Sequence, residues 1–301
     1  MWLLLAFSGP VLWAISTHMD KYMLERYLKG GSPALLMVFT ALTGLIALPF
    51  IWWFEPSVLG LPLLSGAVIA ASGLLYMAAM YFYLYALQKE EASTVAPLFQ
   101  TIALFSLALG YVVLGETVPP LHIGGALCII CGSVLLSLKF GSRKTGFKTR
   151  MVLLMLVCSF ALAVSAVIFK FFAIQDEFWS TTFWSLAGEA LFAVVLLTPR
   201  SNRTQLSRIL RTKTGPVLSL TAANELINFA GNMGMRFALL LAPLALTEAI
   251  LGTAPFFVLF LGVALSLFVP ALGREELTAK SLTQKLTATT LAVVGVILIN
   301  V

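Results

Sequence analysis

Apolar runs of about 20 residues recur from one end of this chain to the other. They limit its fold more than any other feature, because ~20 such residues are what a helix needs to cross the hydrocarbon of a bilayer. Inside that layer every backbone N–H and C=O must find a partner within the protein, so only helices and closed barrels can span it. Barrel strands alternate apolar and polar residues, whereas these runs are continuous. The chain has 301 residues, 60% hydrophobic and 11% charged, where a soluble domain carries about 25% charged residues. The reading is an all-α polytopic membrane protein without a soluble domain. Ten transmembrane helices are expected, near 2–28, 32–54, 61–87, 91–115, 118–138, 151–174, 178–198, 215–241, 243–269 and 283–300. Gly30-Gly31 with Pro33, Glu55-Pro56, Lys89-Glu90-Glu91, Pro119-Pro120, Pro199 and Pro243 fall between them, as helix breakers should.

The net charge of +6 sits in short loops and implies no nucleic-acid partner. Loops after the odd-numbered spans carry the basic residues, among them Lys29, Lys89, Lys144, Arg150, Arg203, Arg208, Arg274 and Lys280. Loops after the second, fourth and eighth spans carry no Lys or Arg, and the loop after the sixth carries Asp176 and Glu177. Basic loops stay in the cytoplasm, which puts both termini outside. Asp20, Lys21, Glu25 and Arg26 end the first span and are read as interfacial charge. The N-terminus lacks a basic stretch and a small-residue cleavage site, so it reads as the first span itself.

The two halves repeat each other. Leu12-Trp13-Ala14-Ile15-Ser16 with Lys21 sets against Ala161-Leu162-Ala163-Val164-Ser165 with Lys170, both serines and both lysines at an offset of 149. Five spans per half invert the second copy, so the ten helices form two inverted-topology five-helix repeats, 1–138 and 151–301, joined by a basic loop at 139–150. In such architectures the site lies near the midplane where the repeats meet.

The segment Ala86-Leu87-Gln88-Lys89-Glu90-Glu91-Ala92-Ser93-Thr94-Val95-Ala96-Pro97 is followed by Leu114-Gly115-Glu116, Gly124-Gly125-Ala126-Leu127 and Gly132. It resembles an EamA-type repeat of the drug/metabolite transporter superfamily. Ala238 to Pro255, Leu272-Gly273-Arg274-Glu275-Glu276 and Gly295 resemble it more loosely. The resemblance implies a ten-helix transporter for a small metabolite. Members often carry a proline midway along the fourth and ninth spans; here Pro255 keeps the second and Ala103 stands at the first. Many members are thought to keep both termini in the cytoplasm, opposite to what these loop charges indicate.

Candidate site residues come from polar groups inside spans, which are costly and usually face a bundle interior or wet cavity. Asn224, Asn228, Asn232 and Arg236 are spaced by four along the eighth span, with Glu225 beside them. Each step drifts only ~40° around a helix, so they form one stripe. At an offset of 152 the third span has Ser72, Tyr76, Met80 and Leu84 instead, and Gly73 opposite Glu225. The scaffold therefore does not need the stripe. Against this stands the use of Asn as helix glue, worth about 0.6 kcal/mol per bond. Glu189 and Glu248 are isolated acids in the seventh and ninth spans, candidate proton carriers or partners of Lys170 or Arg236. Lys21 and Lys170 line the route or snorkel to the interface. Tyr76, Trp13 and Gln100 complete the candidates; the other aromatics read as packing or interfacial belt.

Gly124, Cys128 and Gly132 form a small-residue face for close helix packing. Cys128-x-x-Cys131 and Cys158 read as packing residues, and His18 and His122 as lone histidines, so neither metal nor cofactor is expected. A membrane enzyme is excluded by the lack of any catalytic motif, and direct ATP drive by the lack of a P-loop. The expected activity is secondary transport of a small polar or charged metabolite, amino-acid-like or zwitterionic, by alternating access, with Glu225 or Glu248 as the group for proton coupling. The alternatives are a flippase for a charged lipid-linked headgroup and an exporter of cationic drugs. Expected partners are that substrate and membrane lipid, in a monomer or homodimer in a bacterial inner membrane.

Overall fold

The computed structural model describes residues 1–26, 33–89, 95, 98–138, 149–175, 177–212, 215–268 and 279–301. Among these the chain is helical throughout: α1 Trp2–Arg26, α2 Pro33–Phe54, α3 Leu63–Lys89, α4 Ile102–Leu114, α5 Pro120–Ser137, α6 Thr149–Gln175, α7 Phe178–Leu196, α8 Arg200–Thr212, α9 Gly215–Leu241, α10 Leu244–Leu251, α11 Ala254–Phe268 and α12 Ala279–Asn300, with a 3₁₀ turn at Pro56–Leu59. By length and composition, eight of the described helical stretches can cross a membrane. Two expected spans are not among them. The fourth is represented by the 13 residues of α4. The eighth, α9, is 27 residues long but carries the polar stripe. Most of the basic loop, 139–148, and the end of the EamA-like motif at Ala96-Pro97 lie outside the described residues, as do Arg274, Glu275 and Glu276.

Large apolar side chains such as Ile46, Phe50, Trp53, Val157, Val194, Leu226 and Phe260 stand exposed on the helix surfaces, the arrangement expected of faces in contact with lipid tails. Core contacts run between the halves. Ala103, Ile129 and Ala6 pack with Ala238, Leu246, Ala249 and Ile250. Ala34, Met37, Val38 and Met77 pack with Ala193 and Leu196.

Small residues set the closest approaches. A Cβ on Gly73 would stand 2.0 Å from the Ser185 carbonyl oxygen, and one on Gly188 would stand 1.8 Å from that of Ala70, so α3 and α7 meet backbone to backbone. A Cβ on Gly125 would come within 2.7 Å of the Gly295 carbonyl, and one on Gly132 within 2.7 Å of that of Ala288, joining α5 to α12. This corrects the expected face in part: Gly132 makes the close approach as expected, whereas Gly124 has nothing within 4 Å and Gly125 takes its place.

Two interruptions shape the interior. The ninth expected span breaks at Gly252-Thr253 between α10 and α11, and turns at Gln100-Thr101 precede α4. Gln100 and Gly252 are 152 apart, the offset of the sequence repeat, and they touch: a Cβ on Gly252 would lie 2.7 Å from Gln100 Oε1. Discontinuous helices of this kind build midplane sites in transporters.

The basic loop expected between the seventh and eighth spans contains α8. Its Leu206 packs on the α2–α7 core while Arg203 and Arg208 are exposed, the pattern of a helix lying along a membrane surface.

Candidate functional site

A cavity of about 410 Å³ lies between the two halves, within the 300–1,000 Å³ usual for small-molecule sites. Its wall follows the repeat. From α1 and α6 come Trp13 with Leu162, Ser16 with Ser165, Thr17 with Ala166 and Asp20 with Phe169, each pair 149 apart. From α3 and α9 come Tyr76 with Asn228, Met80 with Asn232, Tyr83 with Met235 and Leu84 with Arg236, each pair 152 apart.

Nine of the twelve candidate residues stand on this wall: Glu225, Asn228, Asn232, Arg236, Glu189, Glu248, Tyr76, Trp13 and Gln100. Three do not. Asn224 is fully buried and donates from Nδ2 to Asp20 Oδ1 at 2.8 Å, so it orients a wall residue instead of being one. Lys21 is exposed. Lys170 is 3% exposed, forms an ion pair with Glu116 and donates to the Ala242 carbonyl. Of the two readings of these lysines, lining the route or standing apart from it, the structure fits the second: neither is on the cavity wall.

Glu116 reaches Lys170 because Gly115 ends α4 in the left-handed region at φ 66°, a helix stop that glycine adopts without a Cβ penalty. Its second oxygen accepts the N–H of Leu244 at 2.8 Å, capping the first turn of α10. The Leu-Gly-Glu of the sequence motif therefore ties the first half to the second through two polar contacts of Glu116.

The wall holds two charged clusters. In the first, Arg236 Nη2 pairs with Glu189 Oε1 at 2.5 Å and donates to Ser185 Oγ at 3.2 Å. The guanidinium lies 4.9 Å from the centre of the Phe169 ring. Its Nη1 is buried and meets no acceptor. Tyr76 is within electrostatic reach of both members of this pair and of Glu248. The second cluster pairs Asp20 with Glu225, flanked by Thr40 and Asn228. Eleven residues separate Glu225 from Arg236, or about 16 Å along the helix.

Asp20, Thr17 and Ser185 were not among the candidates. Asp20 had been grouped with the interfacial charges that follow it. The signal was there in Trp13, Ser16, Thr17 and Asp20, which recur every three to four residues and so share one face of α1. His18 donates from Nε2 to the Val258 carbonyl at 3.0 Å, as a structural histidine would. No group of three or more His, Cys, Asp or Glu able to hold a metal forms among the described residues.

Residues 1–138 match the model of the EamA-like transporter family. No curated protein matches the sequence. Among solved structures, one described only as the crystal structure of a protein superposes with a TM-score of 0.69 at 18% identity, over 99% of this chain and 97% of that one. At that identity the likeness concerns the fold.

Proposed function

We propose that this chain, whose residues 1–138 belong to the EamA-like transporter family of the drug/metabolite transporter superfamily, is a secondary transporter that moves a small amine-bearing metabolite by alternating access. The observation that carries this reading is the cavity of about 410 Å³ between the halves, lined by paired positions of the repeat and by charged side chains within the spans. A mixed lining that included two lysines would suit a zwitterion. With Lys21 and Lys170 off the wall, the acids Asp20, Glu189, Glu225 and Glu248 face one base, Arg236. That balance favours a substrate with a protonated amine, whether an amino acid or an organic cation. A carboxylate on the substrate has one donor to meet, the unpartnered Nη1 of Arg236.

Reconstitution into vesicles tests the reading. Labelled amino acids and simple amines should exchange saturably across the bilayer, while a fluorescent lipid should stay in its leaflet. Lipid exchange without solute exchange would make the protein a flippase and refute the proposal. Asn228→Leu and Asn232→Leu should leave the folded yield near that of the parent, since each contributes only ~0.6 kcal/mol as helix glue. They should cut transport sharply, because a substrate polar group left unpaired costs about 1–3 kcal/mol. Equal loss of folded protein and transport would reduce the stripe to a structural role.

A further inference from the structure

We propose that Asp20 and Glu225 hold a small monocation at a site separate from the Arg236 cluster. The side chains come from two elements that the repeat sets side by side, α1 and α9, with Thr40 of α2 completing the wall. Glu225 is 5% exposed and stands on the cavity wall, yet its Oε2 meets no donor. Asp20 is held in place by the Asn224 amide at 2.8 Å. Thr40 and Asn228 hydrogen-bond the Glu225 carboxylate, and Asp20 lies within electrostatic reach of it.

The charges that face this site do not balance. α1 contributes Asp20, α9 contributes Glu225, and α2 contributes the neutral Thr40. The one base among the described wall residues, Arg236, is about 16 Å away along α9 and is engaged by Glu189. Lys21 follows Asp20 in sequence but is exposed. Among the described residues no cation faces these two carboxylates; a carboxylate pair removed from water is costly, and a bound monocation supplies the charge and a partner for Oε2.

Three further observations narrow the ligand. First, the fold does not need the pair: the repeat mates of Asp20 and Glu225 are Phe169 and Gly73. Second, among the described residues no third acid or imidazole joins the two carboxylates, against the six to eight oxygens with which Ca²⁺ is held, which favours a monovalent ion. Third, the ~16 Å between the two clusters exceeds the span of any α-amino acid's own ammonium and carboxylate. One small zwitterion cannot occupy both. The cation is therefore either a metal ion such as Na⁺, bound alongside the substrate, or the amine of a substrate lacking a carboxylate.

The test is binding to the purified full-length protein in detergent, by thermal shift and calorimetry. NaCl, KCl and methylammonium chloride are compared with choline chloride at one ionic strength. Saturable stabilisation by at least one of the first three over choline is expected. Na⁺ alone marks a coupling-ion site, and methylammonium alone an amine subsite. Asp20→Asn and Glu225→Gln should each weaken the response at least tenfold, Thr40→Val by less, and Lys21→Gln should not abolish it. Four indistinguishable salts in the parent protein overturn the proposal whatever the variants do, and so does a response that Asp20→Asn and Glu225→Gln both retain. Binding is read without transport, so this failure leaves the transporter reading standing, and an absence of transport leaves the cation site standing.

Discussion

Breaking the Arg236–Glu189 pair separates catalysis of transport from maintenance of the fold. The pair is nearly dry: the side chains are 14% and 8% exposed. Arg236→Met strands the Glu189 carboxylate beside Ser185 and removes the cation from the face of Phe169. Glu189→Gln keeps an oxygen within reach of the guanidinium but removes the negative charge that pairs with it. Removing one member of a buried pair costs about 3–5 kcal/mol, a large share of the 5–15 kcal/mol that holds a typical domain together. Replacing both by apolar residues of similar volume is often neutral. The double variant Arg236→Met/Glu189→Met should therefore recover most of the stability that either single change loses, a coupling of several kcal/mol. The assay has two arms, unfolding in mixed micelles and solute exchange in vesicles. If the pair serves the substrate, the double variant folds and does not transport. Recovery of both would show the pair to be scaffold and refute its place in the site. Wild-type stability in both single variants would show that the ion pair does not form.

Two other predictions concern packing and orientation. Gly73→Ala and Gly188→Ala should each destabilise by about 1–3 kcal/mol or more, because overpacking forces backbone shifts. Gly124→Ala, with nothing within 4 Å of its Cβ, should be neutral or stabilising by up to about 1 kcal/mol on helix propensity; equal effects at all three positions, measured by thermal unfolding, would contradict the observed seams. For topology, cysteines placed singly at the exposed Ser207 and at Val301, in a background without Cys128, Cys131 and Cys158, should differ toward an impermeant thiol reagent on intact cells. The basic loops predict labelling at Val301 alone, and labelling at Ser207 alone would reverse the orientation.

The sequence made the stripe on α9 legible because an arginine, an acid and three asparagines inside an apolar run have few structural uses. It could not say which end of the stripe leaves the wall. Three steps of ~40° turn the helix ~120° between Asn224 and Arg236, so a line of polar residues is a shallow spiral, and Asn224 faces α1 while the others face the cavity. Lys170 was legible as an anomaly but not as a paired one. Its partner Glu116 is brought by a left-handed turn in the other half of the chain, and long-range pairing leaves no mark in local spacing. Likewise counting charges hides α8: arginines dominate the segment, and the packing of Leu206 on the α2–α7 core leaves no mark in that count.

The repeat explains where the cavity lies. On one side of the pseudo-symmetric pair of seams, Gly73 of α3 meets Ser185 of α7 and the backbones touch. The equivalent positions on the other side, by offsets of 152 and 149, are Glu225 of α9 and Leu36 of α2, and both stand on the cavity wall. α3 packs along α7, whereas α2 and α9 touch much less. A carboxylate in place of the hydrogen of glycine cannot be buried against a facing backbone without a partner, so the second seam does not close as the first does. The sequence difference between the repeats matches the structural one: Gly73 lets α3 and α7 meet backbone to backbone, whereas at the equivalent place the Glu225 side chain stands between α9 and α2 and hydrogen-bonds Thr40.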